Sequence, residues 1–214
     1  KGYAMTNTQP LLDANLENIN GPVPEPSSLE VKKYLKSWDK LEKYKLQEDA
    51  LDKLFLELVP KNEDISDILL KVATLNDFYS TNIFSVHPLA KHILSLKIDE
   101  RLRQGDLTLV KDIQKVNYRG VTKNFYSFAT KYCSHHNPIE YPIYDSYVEK
   151  VLKYFRKKDK FADFKNADLK DYQHFKQILL TFRSYYGLEE FNIKEIDQYL
   201  WQLGKEYFPK EYKS

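Results

Sequence analysis

From Ser28 onward the apolar residues recur three and four positions apart, the spacing of one face of an α-helix. Val31, Tyr34, Leu35, Trp38 and Leu41 form a first stripe. Leu51, Leu54, Phe55 and Leu58 form a second, which Asp49 is placed to cap. The run Ile65, Ile68, Leu69, Val72, Leu75 has apolar neighbours on several sides and predicts a central buried helix. Pro88 suits the first turn of the next helix, which Leu89, Ile93 and Leu96 continue. After a short piece at 107–116, Val121, Phe125, Phe128, Ala129 and Tyr132 share a face. Tyr144, Tyr147, Val148, Val151, Leu152 and Phe155 repeat that spacing. A charged, irregular stretch at 156–168 precedes two last stripes, Tyr172–Phe182 and Ile193–Leu203. Strand alternation never lasts more than a few residues and there is no internal repeat. The prediction is an all-α domain over 28–214, a two-lobed bundle of about eight to ten helices. Residues 1–27 are proline- and asparagine-rich and predict an extended arm, and the four residues before Met5 read as an expression leftover.

Composition narrows the chemistry. The 33 Lys+Arg and 31 Asp+Glu leave a net charge of +2, so no basic field argues for nucleic acid; a basic surface needs segregation in space. The 17 Tyr and 12 Phe suit a core with amphipathic edges, and also stacking on bases or sugars. Cys133 is the one cysteine, so an internal disulfide is excluded and a reducing, cytoplasmic location is expected. No apolar run reaches the roughly 20 residues of a membrane span.

Metal binding is tested by Cys133, His135 and His136, which lack the second ligand pair a zinc site needs. No metal or cofactor is expected, and the two histidines suit the negative end of a helix near His136. Nucleophile elbows and phosphate-cradling glycine loops are absent. That leaves "HHNPIEYPIYDSYVEKVLKYF", residues 135–155. Pro142 pushes Tyr141 out of α-space, and Asp145 falls at a helix entry. An aspartate there caps the helix. Ser146-x-x-Glu149 is a rival capping box that would leave the Asp145 carboxylate free.

Around Asp145 the sequence resembles the helix-hairpin-helix DNA glycosylase superfamily, whose catalytic Asp stands in a loop of the type P-x-x-D-[TS]-x-V-x-[RK]-V. Pro142, Asp145, Ser146, Val148, Lys150 and Val151 fill that pattern. "RGVTKNFYSFATKY" is similar to the second hairpin helix, with Thr122 and Asn124 at matching positions. Thr81 and Pro88 match a helix end upstream. The hairpin's L-P-G-V-G turn is reduced to Gly120 after Arg119. The resemblance covers roughly residues 65–155. It implies a helix-hairpin-helix-like element and a monomer acting on double-stranded DNA with a flipped base. It further implies hydrolysis of an N-glycosidic bond, with Asp145 stabilising the oxocarbenium-like transition state or activating water. Arg119, Gly120, Thr122 and Lys123 would meet the phosphate backbone; Tyr79 and Asn82 would lie beside the flipped base. Val121 stands where lyase-competent members carry lysine, which implies base excision without strand cleavage. The alternative is a non-catalytic nucleic-acid or protein-binding module on the same scaffold.

Overall fold

The structure, a computed structural model, describes residues 21–210. Ten α-helices run in order among them: α1 (Ser28–Trp38), α2 (Glu42–Asp52), α3 (Ile65–Phe78), α4 (Val86–Leu96), α5 (Asp99–Gln104), α6 (Thr108–Gln114), α7 (Tyr126–His136), α8 (Ser146–Asp159), α9 (Tyr172–Tyr185) and α10 (Ile193–Tyr207). The all-α class follows directly from the helical period of the sequence. Of the predicted arm, residues 1–20 lie outside the described residues; 21–27 run without regular structure into α1, anchored by buried Val23 and Pro26.

Helix starts are set by side-chain caps. Asp64 accepts from the backbone N–H groups of Ser66 and Asp67, and Asn192 and Glu195 form a reciprocal capping box on α10. The second helix begins earlier than its apolar stripe. Leu41 is its N-cap and Asp49 lies inside it, ion-paired to Lys45 one turn back. The polar segment 42–50 is made of strong helix formers, so propensity extends the helix beyond its buried face. Lys53–Leu58 continues it as a wider π-type turn that buries Phe55.

The most enclosed helix is α7, not α3. It packs on α3, α6 and the π-type turn, and of nine consecutive residues from Tyr126 to Ser134 all but Ser127 are buried. By contrast α3 leaves Leu70 and Ala73 exposed. A second group joins α1, α8 and α10, where α10 approaches α8 closely at Gly204: a Cβ there would lie 2.6 Å from the Tyr147 carbonyl oxygen. The buried side chains of both groups form one cluster.

The segment before α7 departs from expectation. Lys115–Tyr118 (β1) and Val121–Asn124 (β2) pair antiparallel, Tyr118 opposite Val121, around a two-residue turn. Arg119 and Gly120 have φ of 50° and 76°, the left-handed pair that a primed hairpin turn demands. The helical stripe expected to begin at Val121 is therefore corrected: α6 and α7 are joined by a β-ribbon, and Val121 is 56 % exposed on its second strand. No helix among the described residues is long and apolar enough to cross a membrane.

Candidate active site around Asp145

The loop from Tyr141 to Asp145 has no regular structure, yet its backbone is bonded almost group by group. The Tyr141 N–H donates to the Asn137 carbonyl (3.1 Å), and its hydroxyl donates to the carbonyls of Arg101 (3.1 Å) and Asp106 (3.0 Å). Tyr172 at the start of α9 donates its hydroxyl to the Pro142 carbonyl at 2.6 Å. The Ile143 N–H donates to Asp197 Oδ2 of α10 at 2.7 Å. The Tyr144 N–H donates to Thr130 Oγ1 (3.1 Å), and the Ser127 hydroxyl donates to the Tyr144 carbonyl (3.2 Å). A buried loop needs such partners because each orphaned backbone group costs about 1–3 kcal/mol. Three helices supply them, and the loop delivers Asp145 to the head of α8 in one geometry.

Asp145 is the N-cap of α8. Its Oδ1 accepts from the Tyr147 N–H at 2.7 Å, while its own carbonyl accepts from Glu149 at 3.0 Å. The Ser146–Glu149 box does not form. Ser146 is exposed in the first turn, and Glu149 is taken by the Tyr144 hydroxyl, Lys153 and Lys170. Capping uses one carboxylate oxygen; no other hydrogen bond engages the carboxylate among the described residues.

Lys131 on α7 feels the charge of this carboxylate. It is 5 % exposed, donates from Nζ to Ser127 Oγ at 2.9 Å, and lies 4.6 Å from the centre of the Tyr79 ring. Burial holds its ammonium below the ordinary lysine range, and the Asp145 charge partly offsets that. Tyr79 caps the end of α3, and its hydroxyl lies 2.9 Å from His135 Nε2. Burial raises the Tyr79 phenol and pushes the His135 imidazole down to about 3. Both histidines at the end of α7 are thus neutral side chains in hydrogen bonds rather than cations on a helix dipole. Asp197 is 8 % exposed; burial first, then Asp145, raise its carboxyl well above the usual range, and its Oδ1 is buried without a hydrogen-bond partner.

Of the residues expected at the site, Tyr79 touches Lys131, and both feel the Asp145 charge. Asn82 follows Tyr79 in a loop with left-handed φ at Ser80 (49°) and Asn82 (54°), pinned by Asn76 to Thr81 and Ile83. Arg119, Gly120, Thr122 and Lys123 stand together on the exposed ribbon. No hydrogen bond, ion pair or ring contact joins them to Asp145, Tyr79 or Lys131 among the described residues. Val121 shares that ribbon, and a buried amine that feels the Asp145 charge is Lys131 on α7. The sequence reading passed over Lys131, Asp197 and Phe84. A lysine inside the apolar run of α7 was a usable signal for the first. Phe84, 97 % exposed at the tip of the Asn76-pinned loop, had none.

The family HI_0787_N, described as an N-terminal domain, matches residues 30–140, just over half of the chain. The chain belongs to this family. The match stops five residues short of Asp145. An uncharacterized protein of Haemophilus influenzae (strain ATCC 51907 / DSM 11121 / KW20 / Rd) is 54 % identical over 161 residues, covering 75 % of this chain and 73 % of that relative. No solved structure matches.

Proposed function

We propose that this member of the family is a DNA glycosylase-like hydrolase that excises a damaged or modified base, with Asp145 as its catalytic carboxylate. The observation that carries the reading is the Asp145 loop, whose backbone is tied to α7, α9 and α10 so that one carboxylate is aimed with little freedom. Rigid placement is what electrostatic catalysis requires, because a fixed charge stabilises an oxocarbenium-like sugar without reorganising as the charge develops. Capping by Oδ1 is compatible with this role, since it fixes the group and leaves the second oxygen for sugar or water. Tyr79, in contact with Lys131, lies within electrostatic range of the reacting carboxylate. The exposed Phe84 and Asn82 extend from the same loop, where they are suited to stack against an unpaired base. Arg119 and Lys123 on the ribbon supply phosphate contacts through side chains.

The test is release of free base from duplexes that each carry one modified base, scored with the native protein and with Asp145→Asn. Equal release by the two proteins removes the proposal.

A second reading of the chemistry follows from Lys131. A buried amine whose ammonium is destabilised is a nucleophile for an aldehydic sugar carbon, and borohydride trapping of a protein–DNA adduct separates amine attack from hydrolysis by water. The non-catalytic binding module, favoured by the near-zero net charge, predicts salt-dependent DNA binding with no base released from any duplex.

A further inference from the structure

On another side of α7, where its last residues meet the π-type turn, α4 and α5, the surface opens into a cavity of about 1110 Å³. Of the residues that hold the Asp145 loop, Asn137 also lines it, while Asp145, Lys131 and Tyr79 do not. Its floor is a closed polar network built on Lys71, which is 0 % exposed. The Lys71 ammonium donates to the Lys61 carbonyl (2.9 Å) and Asn62 Oδ1 (2.8 Å), and its third contact is His136 Nε2 at 3.2 Å. Asn62 Oδ1 also accepts from the Tyr132 hydroxyl. The Asn62 amide nitrogen donates to Asp99 Oδ1 at 2.7 Å and lies 3.2 Å from the same His136 Nε2. An ammonium and an amide NH₂ offer only protons, so Nε2 must be the bare nitrogen and the imidazole proton resides on Nδ1. The network thereby fixes a single N–H donor on a ring that lines the cavity. No side chain or carbonyl accepts from it among the described residues.

The charges around the rim are unequally committed. Asp99 receives two bonds from Asn62, Glu63 pairs with Lys61 at 3.8 Å, and Glu100 pairs with Arg103. Lys97 has no ion pair among the described residues. What remains to a ligand is one cation and one oriented N–H, flanked by Leu94 and Leu102. The volume lies just above the usual range of small-molecule sites and far exceeds a bare ion.

We propose that this cavity binds a small organic anion, an apolar or planar body bearing one carboxylate or phosphate, with His136 Nδ1–H and Lys97 gripping the anionic group.

The full chain is titrated by calorimetry with a nucleoside 5′-monophosphate, its neutral nucleoside, an arylacetate and inorganic phosphate. Lys97→Gln, at an exposed position, tests the grip without disturbing the fold, and imidazole NMR of His136 reports location. The expected result is saturable one-to-one binding of at least one organic anion, with a His136 shift and a loss of about tenfold in affinity in Lys97→Gln. Binding of the monophosphate alone assigns the group as phosphate; binding of the arylacetate alone assigns it as carboxylate. The proposal is overturned if neither organic anion saturates, if Lys97→Gln binds as tightly as the native protein, or if the neutral nucleoside or inorganic phosphate matches the organic anions.

Discussion

Two segments flank α7, and they are opposites. The ribbon at 115–124 has its own ladder, is exposed along the whole of β2, and owes its shape to a two-residue turn. The loop at 141–145 has no ladder, is largely buried, and owes its shape to side chains arriving from 17 residues upstream and as far as 54 downstream. One is specified locally and touches the core through Val116, while its second strand can vary freely. The other exists only when the core has formed around it. A carboxylate meant to meet a developing charge belongs on the second kind of segment; cations meant to track a flexible phosphate backbone suit the first.

The largest test of this contrast is Asp145→Asn. Asparagine keeps the cap, so the melting temperature should stay close to native, while single-turnover base release drops by roughly 10²–10³-fold. Acidification comes next. Neutral burial depresses the folded pKa of His135 to about 3 and that of His136 well below the ordinary value, so between pH ~6.5 and 3 the unfolded chain binds protons that the folded one refuses. Stability should therefore fall with pH across that window, by about 2–5 kcal/mol in denaturant melts.

Smaller effects sharpen the loop itself. Thr130→Val and Tyr172→Phe each orphan a buried backbone group and should cost about 1–3 kcal/mol in urea unfolding, with turnover lowered more than DNA affinity. Asp197→Asn keeps an acceptor for the Ile143 N–H but cannot ionise. The folded carboxyl is raised, so the native protein loses stability as pH climbs above the unfolded carboxylate range. The variant should then gain on native as pH rises above about 4, read as a growing difference in melting midpoints. The smallest effect on the fold belongs to the ribbon. Arg119→Gln with Lys123→Gln should shift stability by no more than about 0.5 kcal/mol and reduce the salt slope of DNA binding by about 1–2. A ribbon variant that destabilises more than a loop variant would break the comparison.

The helices were legible because a buried face imposes its period on the sequence, and Pro142 with Asp145 marked the entry of α8 for the same local reason. What escaped reading was set either by very short or by very long range. The turn at Arg119–Gly120 rests on two left-handed residues, while Val121, Phe125 and Phe128 mimic a helical stripe across it. The enclosure of α7 was hidden by its own polar residues. Ser127, Thr130, Lys131 and His135 lower its apparent hydrophobicity, and their partners lie in other elements or on the same buried face. Whether Asp145 or Ser146 capped α8 was undecidable from spacing, since Glu149 had three competing partners that only the fold assembles.

Gly204 has a further consequence, one of timing. The first turn of α8 rests against the bare backbone of α10, and Asp197, one face along the same helix, holds the Ile143 N–H. As the chain leaves the ribosome, Asp145 emerges about fifty to sixty residues before these supports. Until α10 docks, the carboxylate has a helix to start but nothing to aim it. A nascent or truncated chain ending before residue 197 should accordingly be helical and inert, with the site completed only once α10 is made.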